Sequence, residues 1–249
     1  METKIDEIAN NIFRLSTFTP DVSPSGFTFN QYLIKADAPL LFHCGGRALF
    51  PLVSKAASKI LPLSTIRWIS FGHVESDECG SMNQWLAVAP EARVVHGAVA
   101  CMVSLNDLAD RPPKVLANNE ILDLGGKRVR YIDTPHVPHA WESGLIYEET
   151  TKTLFTGDLF TQLGNGPAIT EESIVKNAIV AEDAFHAMAL TPHTPSTIRG
   201  LKYLGAEQLA VMHGSCFRGD CGAELDALAL YAEDALRLAL NSGGSSPGY

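Results

Sequence analysis

The sequence predicts an α/β fold, and three features of the chain carry this prediction. Over 27–105, apolar strand-like runs alternate with stretches of helical periodicity. Over 120–155 the pattern changes to short β segments joined by tight polar turns. Over 196–240, two helical stretches flank one apolar strand. Alternation of strands and helices is typical of α/β architecture, and a chain of 249 residues that is 46% apolar can bury the core it needs.

The elements are predicted from turn formers, apolar periodicity and apolar runs. In chain order, we predict a hairpin at 12–34, a short apolar run at 39–43, a helix at 47–61, a strand at 65–71, a helix at 82–88, a strand at 92–95, a helix at 97–105, a meander of strands at 120–124, 128–133, 145–148 and 153–155, a helix within 171–188, a helix at 196–204, a strand at 208–212 and a helix at 223–240. No linker-like change of composition interrupts them. We therefore predict one domain over 1–241, with a helical insertion at 162–192 and a disordered tail at 242–249.

Composition and charge exclude several classes of function. The formal net charge is −9 without any Lys/Arg cluster, which argues against nucleic acid or an anionic membrane as a partner. No apolar run is long enough to span a bilayer, and the N-terminus shows no apolar signal segment. The five cysteines form no Cys-x-x-Cys pair, which argues against a disulfide framework and a zinc ribbon. We expect a cytoplasmic protein.

The most informative motif is the alternation His73, Glu75, Asp77 directly after the strand predicted at 65–71. In an extended chain, alternate side chains leave on the same side, so the three could converge on one point. One imidazole and two carboxylates make a metal-ligand set. An acidic surface loop with a solvated histidine is the alternative for this motif taken alone.

Three further strand ends offer the same kinds of side chain. His136 and His139 follow the strand at 128–133, Asp158 follows the strand at 153–155, and His213 follows the strand at 208–212. Each site alone is weak, because a single histidine after a strand is more often structural. Four such strand ends in order indicate a metal site along one edge of a sheet.

In the order of these sites, the chain resembles the metallo-β-lactamase superfamily from Tyr32 to Gly214. The resemblance implies a metallo-β-lactamase-like αβ/βα four-layer sandwich with a two-metal site along the sheet ends. His-x-Glu-x-Asp is similar to the motif of the flavodi-iron and oxygen-binding di-iron branch. The resemblance assigns one metal to His73, Glu75 and His139, the other to Asp77 and His213, and a bridging role to Asp158.

Two positions leave alternatives open. The family's ligand histidine precedes a serine by four positions, which favours His139 over His136 because Ser143 follows it; His136 would then support or gate the site. The residue after Asp77 is usually histidine in the family but is Glu78 here. Glu78 could ligate the second metal, turn away from it, or be solvated.

The donor set and the resemblance together favour two iron ions, with zinc or manganese as alternatives. The resemblance implies a protein that binds O2 between the metals, either as a sensor or, with a separate electron-donor protein, as an O2 or NO reductase. The alternative is a two-metal zinc or iron hydrolase of a small ester, thioester or phosphodiester, in which Asp77 orients the attacking water. The length leaves no room for a flavodoxin domain and no Gly-rich phosphate loop is visible, so we expect no flavin bound by this chain. A homodimer could bring an electron donor to the site.

Overall fold

Two seven-stranded sheets form the centre of the molecule over residues 1–241, which the computed structural model describes. The first sheet runs in chain order: β1 (Thr3–Ala9), β2 (Ile12–Thr19), β3 (Phe27–Ile34), β4 (Leu40–Phe42), β5 (Trp68–Ser70), β6 (Arg93–Gly97) and β7 (Lys114–Leu116). The second contains β8 (Ile121–Asp123), β9 (Arg128–Asp133), β10 (Gly144–Glu148), β11 (Thr153–Gly157), β12 (Ile169–Thr170), β13 (Gln208–Val211) and β14 (Cys216–Arg218). Its spatial order is β12-β14-β13-β11-β10-β9-β8.

Helices cover the outer face of each sheet. They are α1 (Phe50–Ala57), α2 (Ser76–Cys79), α3 (Met82–Val88), α4 (Ala98–Ala100), α5 (Asn106–Leu108), α6 (Val175–Phe185), α7 (Thr194–Gly200) and α8 (Cys221–Asn241), with 3-10 turns at Leu63–Thr65 and Leu201–Leu204. A π-helical turn, Cys101–Leu105, joins α4 to α5. Within the described residues, no helix is both long and apolar enough to cross a membrane.

The alternation of side chains along each strand builds three core layers. In β3, Leu33 packs with α1 and α3 on the outer face, whereas Tyr32 and Ile34 face the second sheet. On the far side, α6, α7 and α8 pack on the outer face of the second sheet. Fully burying one such aliphatic side chain contributes about 1.5–3 kcal/mol, so the alternation fixes which face each strand turns inward. The result is helix, sheet, sheet, helix, and it confirms the predicted αβ/βα four-layer sandwich.

Most predicted elements are present, and the differences have local causes. The predicted hairpin is formed by β2 and β3, with Ile12 opposite Ile34. Strand β1 was not predicted, because its sequence alternates acids with single apolar residues and it lies at a sheet edge. The stretch at 162–192 is less helical than predicted. Its helix covers only Val175–Phe185, and β12 joins the edge of the second sheet by pairing with β14. The predicted tail at 242–249 lies outside the described residues.

Candidate metal centre

Strand ends from both sheets meet at one edge of the sandwich. In the first sheet, β5 ends just before the loop that contains His73. In the second sheet, β9, β11 and β13 end just before the loops that contain His139, Asp158 and His213. The Gly144 N–H donates to the Gly72 carbonyl at 2.8 Å, which ties the two sheets together beside these loops. The predicted strand-end residues are therefore brought to one place by the packing of the sheets.

Four side chains form a tight cluster at this edge: His73, Glu75, His139 and Asp158. One ligand atom from each lies within 4.8 Å of all the others. The Nε2 atoms of His73 and His139 are 2.9 Å apart, and Glu75 Oε2 lies 2.7 Å from the first and 3.2 Å from the second. Imidazole and carboxylate atoms that converge in this way are suited to one metal ion.

A second, smaller group adjoins the cluster. His213 Nε2 lies 3.3 Å from Asp77 Oδ2 and 3.2 Å from Asp158 Oδ1. The other ring nitrogen, Nδ1, is 2.8 Å from the Thr28 carbonyl, to which it donates if that nitrogen carries the proton. This contact would leave Nε2 free to face the acids, as second hydrogen bonds do for metal-bound histidines.

Asp158 lies between the two groups and offers one oxygen to each. Its Oδ2 atom is 3.8 Å from His73 Nε2 and 3.5 Å from His139 Nε2, on the side of the four-residue cluster. Its Oδ1 atom faces His213. Asp158 directly follows Gly157, which adopts a positive φ of 53° at the end of β11. A carboxylate with its two oxygens directed at separate ligand groups has the arrangement needed to bridge two ions.

Glu78 turns away from both groups and is buried beneath His73. Its carboxylate accepts the backbone N–H groups of Gly72 and His73, the second at 3.1 Å, and its Oε1 lies 3.3 Å from His73 Nδ1. A Cβ atom at Gly72 would meet the Glu78 carboxylate oxygens at 2.9 Å, so this approach requires glycine at position 72. Glu78 therefore orients His73 from below rather than offering an oxygen to a metal.

A second buried histidine adjoins Glu78. His43 is fully buried, and its Nε2 lies 3.6 Å from Glu78 Oε2 while its Nδ1 lies 3.2 Å from the Asn30 carbonyl. Burial lowers the pKa of His43, although the Glu78 and Asp158 carboxylates oppose this shift. His43 thus supports the buried acid and lies outside the ligand cluster.

The loop after β9 distinguishes His139 from His136. His136 adopts a positive φ of 64°, and its side chain is exposed and separate from the four-residue cluster. The His136 N–H donates to the Ala140 carbonyl at 2.9 Å, and Ser143 Oγ donates to the His139 carbonyl. These bonds fold the loop so that His139 points inward, which agrees with the preference for His139 and gives His136 no contact with the site among the described residues.

Neighbouring charges shift the protonation of the site in the absence of metal. Burial alone would lower the pKa of His73, but the carboxylates of Glu78 and Glu75 raise it to about 11. For His213, burial also acts downward, and Asp158 and Asp77 raise its pKa to about 10. Hydrogen bonds to His139 and His73 hold the pKa of Glu75 well below its usual range. Without metal, protons on the imidazoles compensate the acids.

The loop after β5 does not stay extended as far as Asp77. An extended chain could direct His73, Glu75 and Asp77 to one point, but the backbone is extended at Glu75 and turns into α2 at Ser76. Asp77 therefore lies in a helical turn and reaches His213 instead of joining His73 and Glu75. The helical turn also carries Glu78 inward, and no pattern in the sequence indicates this burial.

The donors fit two ions of the kind that bind imidazole and carboxylate. Asp77 Oδ1 and Asp158 Oδ1 are buried and make no hydrogen bond within the described residues, although His213 Nε2 lies near the latter. Buried carboxylate oxygens without a hydrogen bond are costly unless a cation balances them. Three carboxylates and three imidazoles suit iron, and the same atom types also bind zinc and manganese.

A two-sheet αβ/βα sandwich with a histidine–carboxylate cluster at one sheet edge defines a metallo-β-lactamase-like protein. The model of the "ODP family beta lactamase" matches residues 27–214, which is most of the chain. The chain therefore belongs to this family.

Similar proteins come from the flavodiiron group. A Nostoc sp. sequence described as a diflavin flavoprotein is 26% identical over 200 residues, covering 76% of this chain and 34% of its own length. The rubredoxin-oxygen oxidoreductase of Megalodesulfovibrio gigas is 23% identical over 222 residues, covering 85% of this chain and 55% of its own. The chain thus spans about a third to a half of the length of these relatives. The solved flavodiiron core of Flv1 from Synechocystis sp. shares the fold, with a TM-score of 0.77 at 23% identity, covering 95% of this chain and 61% of that one.

Proposed function

We propose that this chain is a di-iron protein that binds O2 at the candidate metal centre, either as a sensor or, with electrons from a separate protein, as an O2 or NO reductase. The observation that carries the proposal is the position of Asp158, with one oxygen toward His73 and His139 and the other toward His213. The relatives include an oxygen oxidoreductase and a nitric oxide reductase flavorubredoxin, which supports the choice of reaction.

In this proposal each side chain has a definite task. His73, Glu75 and His139 would hold one iron, Asp77 and His213 would hold the other, and Asp158 would offer one oxygen to each. An iron pair would supply redox chemistry and open coordination positions. Glu78 fixes the ring of His73 through Nδ1, and Thr28 fixes the ring of His213 in the same way. Phe27 and Phe29 pack on the His213 ring with centroids 4.3 and 5.3 Å away and limit water at that side.

Electrons would come from a partner, for which the name of the Megalodesulfovibrio gigas relative suggests a small redox protein such as rubredoxin. We include a homodimer in the proposal as one way to bring the donor to the site. Two-metal hydrolysis of a small ester, thioester or phosphodiester is the second candidate. It is favoured by a cavity beside the site that is large enough for an organic substrate.

The test is an O2 titration of protein loaded anaerobically with Fe(II), followed by visible absorption and an oxygen electrode. We expect a new visible band or reductant-dependent O2 uptake, lost in Glu75→Ala and retained in the exposed control Glu171→Ala. A persistent band without turnover identifies a carrier or sensor. With two irons bound and a spectrum that O2 leaves unchanged, the di-iron proposal fails, and esters, thioesters and phosphodiesters become the substrates to test.

A further inference from the structure

A cavity of about 360 Å³ opens directly onto the candidate metal centre. One wall is formed by five of the six proposed ligands, namely Glu75, Asp77, His139, Asp158 and His213. The opposite walls are mostly apolar, with Phe27 from β3, Ala178, Ala181 and Phe185 from α6, and Met188 from the loop after α6. The rings of Phe27 and Phe185 meet edge to face at 5.7 Å, so the strand and the helix close over the cavity together.

The cavity is larger than a diatomic ligand needs. A water molecule occupies about 30 Å³ of liquid, and O2 is of similar size. Cavities of about 300–1,000 Å³ with apolar walls and a few polar groups at one end are typical of sites for organic ligands. O2 alone would cover little of the apolar wall surface. The apolar part of an organic molecule would remove much more of that surface from water and so bind favourably.

The two groups of donors differ in number. The first metal position has His73, Glu75 and His139 beside the shared Asp158, whereas the second has only Asp77 and His213 beside it. Because Asp77, Asp158 and His213 all line the cavity, the unfilled coordination positions of a second ion would face into it. An oxygen donor that enters from the cavity could fill them.

The charge of the cavity floor, with and without metal, determines which oxygen donor can bind there. Without metal, the floor holds the carboxylates of Glu75, Asp77 and Asp158, and the cavity wall adds Glu182, whose oxygens accept the Met188 N–H at 3.0 and 3.1 Å. Without a bound metal, this floor has no coordination position for an anionic oxygen. Two divalent ions would balance these four carboxylates and would offer an anionic oxygen a direct bond.

We propose that the cavity binds a monocarboxylate with an apolar chain, with the carboxylate at the second metal position and the chain between β3 and α6. This inference rests on the proposed two-metal centre. The ligand is a second binding partner beside O2 under the di-iron function, and it has the chemistry of an acid product under the hydrolase alternative.

The test is calorimetric titration of the zinc-loaded protein with acetate, butanoate, hexanoate and octanoate. We expect Kd to fall about fourfold for each added CH2 until the cavity is full, because each buried CH2 contributes about 0.8 kcal/mol. Octanol should bind more weakly than octanoate, and metal-free protein should lose the preference for the acid. Equal affinity along the series, or equal binding of octanoate with and without metal, overturns the proposal.

A pair of variants on α6 locates the binding. Ala181 is buried and lines the cavity, whereas Ala184 is exposed on the same helix. We expect Ala181→Phe to raise the Kd of octanoate at least tenfold with two zinc ions retained, and Ala184→Phe to leave it unchanged. Unchanged binding in Ala181→Phe contradicts the assignment to this cavity, and the chain-length series decides independently if that variant does not fold.

Failure of this inference is distinguishable from failure of the proposed function. Zinc and aerobic buffer are sufficient for the titration, so it does not depend on iron or on reaction with O2. Metal analysis before each titration shows whether two ions are bound. Two bound ions without alkanoate binding overturn the inference alone, and alkanoate binding by a protein whose iron ignores O2 overturns the di-iron function alone.

Discussion

The two sides of the candidate metal centre differ in how firmly their donors are held. On the side of His73, three side chains contact one another and the buried Glu78 supports them from below. On the side of His213, only Asp77 joins the shared Asp158, and the group faces an apolar cavity. A preorganised side binds its ion firmly, whereas a side with fewer donors leaves positions for ligands. The asymmetry predicts that an ion on the side of His73 is bound more tightly than an ion on the side of His213.

Removing Asp158, the carboxylate shared by the two groups of donors, should have the largest effect on metal content. We expect Asp158→Ala to lose both metals and all metal-dependent activity, because each side of the centre loses a donor and the negative charge between the ions. Metal content per chain, measured by elemental analysis after gel filtration, is the check. Full metal content in this variant would mean that Asp158 is not the bridge and that the two sides are not joined as described.

A substitution confined to the cluster of His73, Glu75 and His139 should remove one metal ion. We expect His139→Ala to lose about one metal per chain, because His139 belongs only to the cluster with His73 and Glu75. His136→Ala is the matched control from the same loop and should retain both, since His136 is exposed. If His136→Ala lost a metal while His139→Ala kept two, the assignment of the two histidines would be reversed.

Glu78, which lies beneath His73, should affect the affinity for metal although it is not a proposed ligand. We expect Glu78→Gln to weaken the first metal about 10–100-fold, the usual cost of removing a carboxylate that orients a ligand histidine. Competition with a chromophoric chelator gives the affinity, and the exposed Glu171→Gln provides the control. The far-ultraviolet circular dichroism spectrum should be unchanged. Unaltered affinity would show that His73 is oriented without Glu78.

The smallest expected effect is a change with pH. The pKa values of His73 and His213, about 11 and 10, lie above the ordinary value of 6.5, so both rings are protonated at neutral pH without metal. Metal binds neutral imidazole, so binding of the two ions should release about two protons per chain. The apparent affinity for metal should therefore rise with pH. The same shifts stabilise the metal-free fold fully below pH 6.5, and this stabilisation is lost as pH rises toward 10–11.

Proton release can be measured by calorimetry in two buffers of different ionisation enthalpy. Equal heats in both buffers at pH 7 would show that the rings are already neutral. In that case the charges of the two sides would not be those inferred from the contacts of His73 and His213.

The sequence was sufficient for the architecture and for the identity of the clustered side chains. Strand ends that carry His73, Asp158 and His213 could be placed together because such ends meet at one edge of a sandwich. The contacts within the site depended on features that have no clear sequence signal. Whether position 77 lies in an extended chain or in a helical turn depends on a single turn at Ser76, and the burial of Glu78 depends on the space that Gly72 leaves. Strand β1 was missed because an edge strand needs only one apolar face.

Because the proposed ligands come from both sheets, the order in which the chain is synthesised and folds determines when each metal position is complete. His73 belongs to the first sheet, whereas His139, Asp158 and His213 follow strands of the second. During synthesis, the chain up to Asp158 could offer only one side of the centre, and the last donor follows β13 near the end of the fold. Both proposed ions can therefore be bound only after the two sheets have docked, so a chain that holds both has already assembled its fold.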